Sequence, residues 1–126
     1  MLRVIIESPL AGDYEANRDY AKRCVLDSLK RGESPLASHL LYDQPGILDD
    51  TKPEQRELGI EAGLAWSAVA DLAAVYVDLG ISPGMKRGIE RHKQNGLRIE
   101  LRSIAEQERK QGVVIAMARF NERHGV

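Results

Sequence analysis

The sequence lacks several features that mark specialised classes of protein. Cys24 is the single cysteine, so no disulfide can form within the chain. No apolar run approaches the about 18 residues that a membrane-spanning helix needs, so no membrane partner is expected. The 18 Lys and Arg residues are offset by 19 Asp and Glu residues. A chain without excess positive charge is not expected to bind a nucleic acid polymer.

Motifs for metals and cofactors are also missing. No second histidine, cysteine or acidic residue stands at metal-ligand spacing from His39, and no metal is expected. Gly80, Gly84 and Gly88 follow an apolar run but do not have the spacing of a dinucleotide fingerprint, and no cofactor is expected. A signal-peptide pattern is absent as well, since residues 1–4 lead directly into a strand pattern. We therefore expect a cytoplasmic protein.

Short strand patterns alternate with helical patterns over the 126 residues, which are enough for one domain, 1–126. Residues 113–120 (VVIAMARF) fit a fifth strand or a helix, and their β-branched residues favour the strand. The alternation predicts a single α/β domain of the doubly wound, flavodoxin-like or Rossmann-like type, with a four- to five-stranded, mainly parallel sheet. Strands are predicted at 2–7, 34–39, 71–78 and 97–101, and helices at 14–31, 51–69 and 83–95.

The sequence also predicts whether several side chains lie in the core or on the surface. Cys24 lies on the apolar stripe of the first predicted helix and is expected in the core. Trp66 is expected in the core or a subunit interface, with stacking on a ligand as the alternative. His92 is expected on the surface. The second predicted helix should turn a core face inward, formed by Leu58, Ala62, Ala65 and Val69.

In a doubly wound fold the ligand crevice lies at the carboxyl ends of the strands. The loops after the first three predicted strands are therefore the candidate site, and the loop at 40–50 is unusually long. Ser82, Pro83 and Gly84 begin a helix: Ser82 suits the N-cap, Pro83 the first helical position, and Gly84 allows a ligand close to the backbone. Such a corner can hold a phosphate or another anion, or it can be a capped helix and nothing more.

Three pieces of the sequence, taken in order, resemble the nucleoside 2-deoxyribosyltransferase-like proteins. They are Ser8-Pro9-x-x-Gly12-Asp13-Tyr14 with Asn17, then Ser38-His39-Leu40, and then Ser82-x-Gly84-Met85. That group includes deoxyribosyltransferases, nucleoside 5′-monophosphate N-glycosidases and small uncharacterised bacterial and phage members, and this chain is most similar to the last. The resemblance covers a core of residues 1–102 and leaves 103–126 as a carboxyl-terminal extension.

The resemblance implies a nucleotide or nucleoside ligand in the crevice. Its phosphate or ribose would lie against Ser82 and Gly84, while His39 would reach a base or phosphate. Each of these residues has a structural alternative, such as loop capping by Asp78 or an ordinary helix position for Tyr14. The implied ligand-binding residues are Ser8, Pro9, Gly12, Asp13, Tyr14, Asn17, His39, Asp78, Ser82, Gly84 and Met85.

Active members of the group use two carboxylates on an oxocarbenium-like transition state. One is a glutamate four residues after the glycine of the S-x-G loop, and the other an aspartate eight residues before the third strand opens; in this chain these positions are Gly88 and Gly63. Glu90 and Glu61 lie two residues away, which is about 200° of rotation on a helix. We therefore expect a protein that binds its ligand without cleaving it, as a sensor, scavenger or sponge.

Two alternatives remain at this point. The chain could be an active N-glycosidase or deoxyribosyltransferase, with Glu90 as a displaced nucleophile and Asp78 or Glu61 as its helper. It could also be a structural or interaction protein that kept the fold and lost the site. Relatives of this kind are usually oligomers, so a homo-oligomer is expected, and residues 117–120 could supply an apolar contact.

Overall fold

Four parallel strands form the centre of the protein in a computed structural model that describes residues 1–124. Their spatial order is β2-β1-β3-β4, so the chain reverses its direction across the sheet after β2. Ile5 in β1 pairs with Leu36 on one side and Ala73 on the other. The strands are β1 (Arg3–Glu7), β2 (Ser34–Leu36), β3 (Leu72–Tyr76) and β4 (Arg98–Arg102).

Helices connect and cover these strands. Helix α1 packs with α5, whereas α3 packs with α4. Side chains that alternate along β1 and β3 build a core with α1, centred on Val4, Leu72 and Cys24. The helices are α1 (Tyr14–Lys30), α2 (Ser38–Leu41), α3 (Pro53–Ala65) with a 3₁₀ turn at Trp66–Ala68, α4 (Pro83–Gln94) and α5 (Ile104–His124).

The predicted fold class is confirmed, with four strands in an all-parallel sheet. The buried position of Cys24 is confirmed too, and burial raises the pKa of its thiol to about 12. Within residues 1–124, no helix is both long and apolar enough to cross a membrane. The last two residues of the expected extension, 125–126, lie outside the described part of the chain.

The fifth strand predicted at 113–120 is wrong, because these residues lie within α5. β-branched residues favour strands mainly through packing against neighbouring strands. Here Val113, Val114 and Ile115 are exposed and continue a helix that begins at Ile104. The second strand is also shorter than predicted, since Ser38 already begins helix α2.

The expected core face of the second long helix is wrong as well. Leu58 and Val69 are both more than half exposed, and Gly63 and Leu64 are the buried residues of α3. Glycine at position 63 lets α3 pack closely against Ser38 of α2, and the buried face of α3 is therefore set by Gly63 and Leu64 rather than by the predicted four residues. Trp66 is exposed over about half its surface rather than buried in the core, and its indole N–H donates to the Tyr42 hydroxyl.

Candidate functional site

A cavity of about 200 Å³ opens at the carboxyl edge of the sheet, where the chain crosses between β1 and its two neighbours. This is the topological switch point, the usual ligand position in an open parallel sheet. It brings together five residues predicted from the sequence: Ser8, His39, Ser82, Gly84 and Met85. Polar side chains that the sequence analysis did not assign as ligand-binding also line it, namely Glu7, Ser38, Asp50 and Arg56.

Ser8 and His39 form a hydrogen-bonded pair on one wall of the cavity. The Ser8 Oγ and His39 Nε2 atoms are 2.7 Å apart. Burial, with a smaller contribution from the nearby Arg18 cation, lowers the pKa of His39 to about 4. The imidazole is therefore neutral at neutral pH, and this wall offers uncharged hydrogen-bonding groups.

The opposite wall is the beginning of α4. Ser82 is its N-cap, and its Oγ accepts a hydrogen bond of 3.2 Å from the Met85 backbone N–H. Met85 is buried and its sulfur lies 3.4 Å from the Ser82 backbone N–H. Gly84 is exposed, and a Cβ built there would meet no atom closer than the Ser82 Oγ at 4.0 Å. The helix start predicted from Ser82-Pro83-Gly84 is thus present, and it faces the cavity.

At the two expected carboxylate positions, Gly63 and Gly88, side chains from other elements occupy the space beside the glycine. A Cβ at Gly88 would lie 2.8 Å from the carboxyl carbon of Glu7, which projects from the end of β1. A Cβ at Gly63 would overlap the side chain of Ser38, whose own Cβ would be 2.6 Å away. Such distances are shorter than real Cβ contacts. Glycine at 63 and 88 therefore makes room for Ser38 and Glu7.

Glu7 is the crevice end of a buried polar chain. Its Oε1 lies 2.7 Å from His92 Nε2, and the His92 Nδ1 lies 2.8 Å from Ser67 Oγ. The His92 side chain has 0% exposure, so its expected position on the surface is wrong. The reason is its register on α4: Met85, Gly88 and His92 share the face that packs on the sheet. That register, together with an acidic residue ending an apolar strand, was the available sequence signal for this pair.

The cavity continues along the protein surface. A smaller space of about 50 Å³ shares His39, Asp50 and Arg56 with it, and then borders an open cleft of about 560 Å³. Tyr14, another predicted ligand residue, lines that cleft, and its hydroxyl donates to the Asp43 carbonyl at 3.4 Å. Asp50 lines all three spaces, and burial raises the pKa of its carboxyl although Arg56 opposes this. We call the three spaces together the groove.

The remaining predicted residues of the first loop do not line the cavity. The Asn17 amide donates to the carbonyls of Leu10 and Ala11, at 3.1 and 3.0 Å, and so fixes the loop between β1 and α1. Gly12 has φ +108°, a conformation that side chains rarely adopt. The Asp13 carboxylate accepts from the Ala16 N–H as the N-cap of α1. Pro9 is buried in the same loop.

The two candidate catalytic carboxylates also lie outside the cavity. Asp78 accepts hydrogen bonds from the Tyr20 and Ser103 hydroxyls and from the backbone N–H groups of Ile104 and Ala105. Burial alone would raise its pKa, but these bonds outweigh it and lower the pKa of Asp78 to about 2. Glu90 is exposed on α4. Asp78 therefore anchors the beginning of α5, and Glu90 faces solvent.

Comparisons with known proteins agree with this architecture. The family described as Domain of unknown function (DUF7768) matches residues 2–102. None of the curated proteins matches the sequence. A solved 2-deoxyribosyltransferase from the psychrotolerant bacterium Bacillus psychrosaccharolyticus is similar in fold, with a TM-score of 0.57 and 16% identity over 80% of this chain and 72% of that chain.

A second solved structure, the CMP N-glycosidase of Clostridium botulinum, is 18% identical, with a TM-score of 0.46 over 80% of this chain and 68% of that chain. The first similarity supports the fold assignment.

Proposed function

This chain belongs to the DUF7768 family, a domain of unknown function, and we propose that it binds a nucleoside or nucleotide-derived ligand in its crevice. The observation that carries the proposal is the meeting of Ser8, His39, Ser82 and Gly84 around one cavity at the sheet's switch point. The fold similarity to a 2-deoxyribosyltransferase, a suitable biocatalyst for the industrial synthesis of nucleosides, supports the ligand class.

The size and polarity of the groove fit such a ligand. The cavity of about 200 Å³ suits a sugar or a base, and the adjoining cleft of about 560 Å³ has room for the rest. The phosphate or ribose lies against the beginning of α4 at Ser82 and Gly84, with Ser8 and His39 on the facing wall. Tyr14 borders the far end of the ligand, while Pro9, Gly12, Asp13 and Asn17 shape the first loop.

The ligand is held intact in this proposal. Neither Gly63 nor Gly88 supplies a carboxylate, and Glu90 is exposed outside the cavity. The Asp78 carboxylate already accepts four hydrogen bonds at the beginning of α5. Binding without cleavage is the behaviour of a sensor, a scavenger or a sponge.

Cleavage of the glycosidic bond is the second candidate function, and one observation favours it. The Glu7 carboxylate occupies the space beside Gly88, so the crevice does contain a carboxylate, supplied by β1. In this candidate Glu7, and not Glu90, would act on the anomeric carbon.

Mass spectrometry of protein-bound and free fractions separates the two functions. The purified protein is incubated with ribonucleosides, deoxynucleoside monophosphates and NAD-derived nucleotides. We expect an intact compound in the bound fraction and no free base over time. Free base that accumulates with time would establish the second candidate, and a folded protein that retains none of these compounds and releases no free base would contradict both.

A further inference from the structure

The Glu7 carboxylate has a fixed position at the crevice. It borders the cavity, and its side chain is 15% exposed. His92, which has 0% exposure, holds Oε1 at 2.7 Å, and Ser67 in turn holds the ring at 2.8 Å. A side chain fixed in this way loses little conformational freedom when a ligand binds. Glu7 is therefore preorganised for a contact in the cavity.

The direction of these hydrogen bonds leaves Glu7 as an acceptor. A carboxylate only accepts, so His92 donates to Glu7 through Nε2–H, while the Ser67 hydroxyl lies 2.8 Å from Nδ1 on the other side of the ring. A carboxylate has about four acceptor positions, of which His92 uses one. Glu7 can therefore form hydrogen bonds only with donor groups of a ligand.

The charges that line the cavity also restrict which group of a ligand can lie beside Glu7. A phosphate beside Glu7 would meet a carboxylate, and like charges at contact distance repel. Arg56 is the cation of the cavity lining and lies 3.7 Å from the Asp50 carboxylate, at the side where the cavity meets the rest of the groove. Uncharged donors fit the Glu7 side, and in a nucleoside the sugar hydroxyls are such donors. Ser38, seated at Gly63, adds a hydroxyl to the same cavity.

We propose that Glu7 is the specificity-determining residue of the crevice and accepts hydrogen bonds from the 2′- and 3′-hydroxyls of a ribose, with His92 and Ser67 as its positioning residues. This inference rests on the proposed nucleoside-type ligand and names the part of that ligand which the carboxyl end of β1 recognises. Gly88 and Gly63 are then glycine so that Glu7 and Ser38 can occupy the crevice.

The first test couples Glu7 to the sugar hydroxyls. Binding of the four ribonucleosides and of their 2′,3′-dideoxy counterparts is measured by titration calorimetry for wild type, Glu7→Gln and the exposed control Glu90→Gln. We expect wild type and Glu90→Gln to prefer one ribonucleoside over its dideoxy form by at least about tenfold, the scale of one charged hydrogen bond. Glu7→Gln should lose most of that preference.

The second test asks whether His92 acts through Glu7. His92→Gln keeps a hydrogen-bond donor and should retain most of the preference for the ribonucleoside over its dideoxy form. His92→Leu should lose most of that preference, as Glu7→Gln does. The double variant Glu7→Gln/His92→Leu should bind no more weakly than Glu7→Gln alone, since the two residues act as one unit. Circular dichroism confirms that each variant is folded before titration.

The outcomes distinguish a failure of this inference from a failure of the proposed function. If wild type binds a ribonucleoside and Glu7→Gln keeps the full ribose preference, the role of Glu7 is wrong and the proposed function stands. Release of free base that Glu7→Gln abolishes would replace the recognition role by a catalytic one. If folded wild type binds no nucleoside or nucleotide of either panel, the proposed function fails and this inference fails with it.

Discussion

Gly88 and Glu7 compete for one volume at the wall of the crevice. A glycine inside a helix costs about 1 kcal/mol of stability relative to alanine, so Gly88 destabilises α4. It leaves room for Glu7, because the Cβ of any other residue at 88 would lie 2.5–2.9 Å from the Glu7 carboxyl group. The space beside position 88, where the sequence analysis expected a carboxylate, thus holds the carboxylate of Glu7 from β1.

Replacing Gly88 by alanine tests this competition. Gly88→Ala should push Glu7 aside, weaken ribonucleoside binding by at least about tenfold, and lower the free energy of unfolding by about 1–3 kcal/mol, the usual cost of overpacking. Gly112→Ala is the matched control, since nothing lies within 4 Å of its Cβ position. It should raise the free energy of unfolding by about 0.5–1 kcal/mol. Unchanged binding by Gly88→Ala in titration calorimetry would contradict the account of Glu7.

The neutral His39 predicts a pH dependence of stability. Its pKa is about 4 in the folded protein, lowered by burial and by Arg18, against about 6.5 in an unfolded chain. Between these values the unfolded state binds more protons, so this contribution is complete above pH 6.5 and is lost as the pH falls towards 4.

Urea unfolding at pH 7 and pH 5 measures this contribution. Wild type should lose stability between the two values, and His39→Gln, which keeps a polar partner for Ser8, should lose clearly less. His92→Gln serves as the comparison at the other histidine of the sheet edge. Equal losses in wild type and His39→Gln would show that His39 is not held neutral by the fold.

What the sequence could predict at single residues depends on how local the cause is. The Ser82 cap follows from three consecutive residues, and the structure has it. His92, expected at the surface, is instead buried in contact with Glu7, a residue far away along the chain. Such long-range pairings leave only weak traces in a single sequence.

Asp78 links the end of β3 to the beginning of α5. Its carboxylate accepts from two backbone N–H groups of the first turn and from the Ser103 hydroxyl, and the Tyr20 hydroxyl ties it to α1. A helix begins with unpaired N–H groups, so a carboxylate there is stabilising. We interpret Asp78 as the anchor of α5.

Asp78→Ala should therefore act on stability. We expect the free energy of unfolding to fall by about 1–2 kcal/mol, the range of a lost N-cap, with faster amide exchange in the first turns of α5. Urea unfolding and hydrogen exchange measure the two effects. A variant with full stability and no nucleoside binding would instead return Asp78 to the ligand site predicted from the sequence.

Helices and strands could be predicted from the sequence where the hydrophobic pattern and the residues that begin or end an element agree. The strands β1 and β3 are apolar runs with clear ends, and α1 and α4 follow directly after their N-caps, Asp13 and Ser82. The segment 113–120 could not be predicted in this way, because its β-branched residues favour a strand only if a neighbouring strand receives them. Strand β4 pairs with β3 alone in the described chain, and the residues after it continue as α5.

At the scale of the whole molecule, α5 exposes apolar side chains at the protein surface. Val113, Met117 and Phe120 follow one another at helical spacing, and each is more than half exposed. An apolar stripe of this kind is typical of a contact between subunits. The homo-oligomer expected from the sequence stays a prediction, with this stripe as its proposed contact.

A charge placed in the stripe tests the oligomer. Light scattering coupled to size exclusion should give a mass above that of one chain for wild type, and a single-chain mass for Met117→Lys. Gln111→Lys, at a polar position of the same helix, should keep the wild-type mass. A wild-type protein that elutes as a single chain at all concentrations would refute the prediction.

The groove joins the loops of three strands into one candidate ligand site. Its residues lie far apart in the sequence, and Asp50, in the long loop expected to be functional, borders all three of its spaces. The sequence could place the crevice at the carboxyl edge, because the doubly wound topology requires it. It could not predict that this loop would extend the crevice as far as Tyr14.

The most direct measurement of the central claim compares ligand retention by two leucine variants. Gly84→Leu fills the crevice from α4, and Gly112→Leu adds the same side chain to α5, away from the groove; neither Cβ position has an atom closer than 4.0 Å. After incubation with the nucleosides and nucleotides, bound compounds are identified by mass spectrometry. Wild type and Gly112→Leu should retain the same compound, and Gly84→Leu should retain none. Equal retention by folded Gly84→Leu would mean that the crevice is not the binding site.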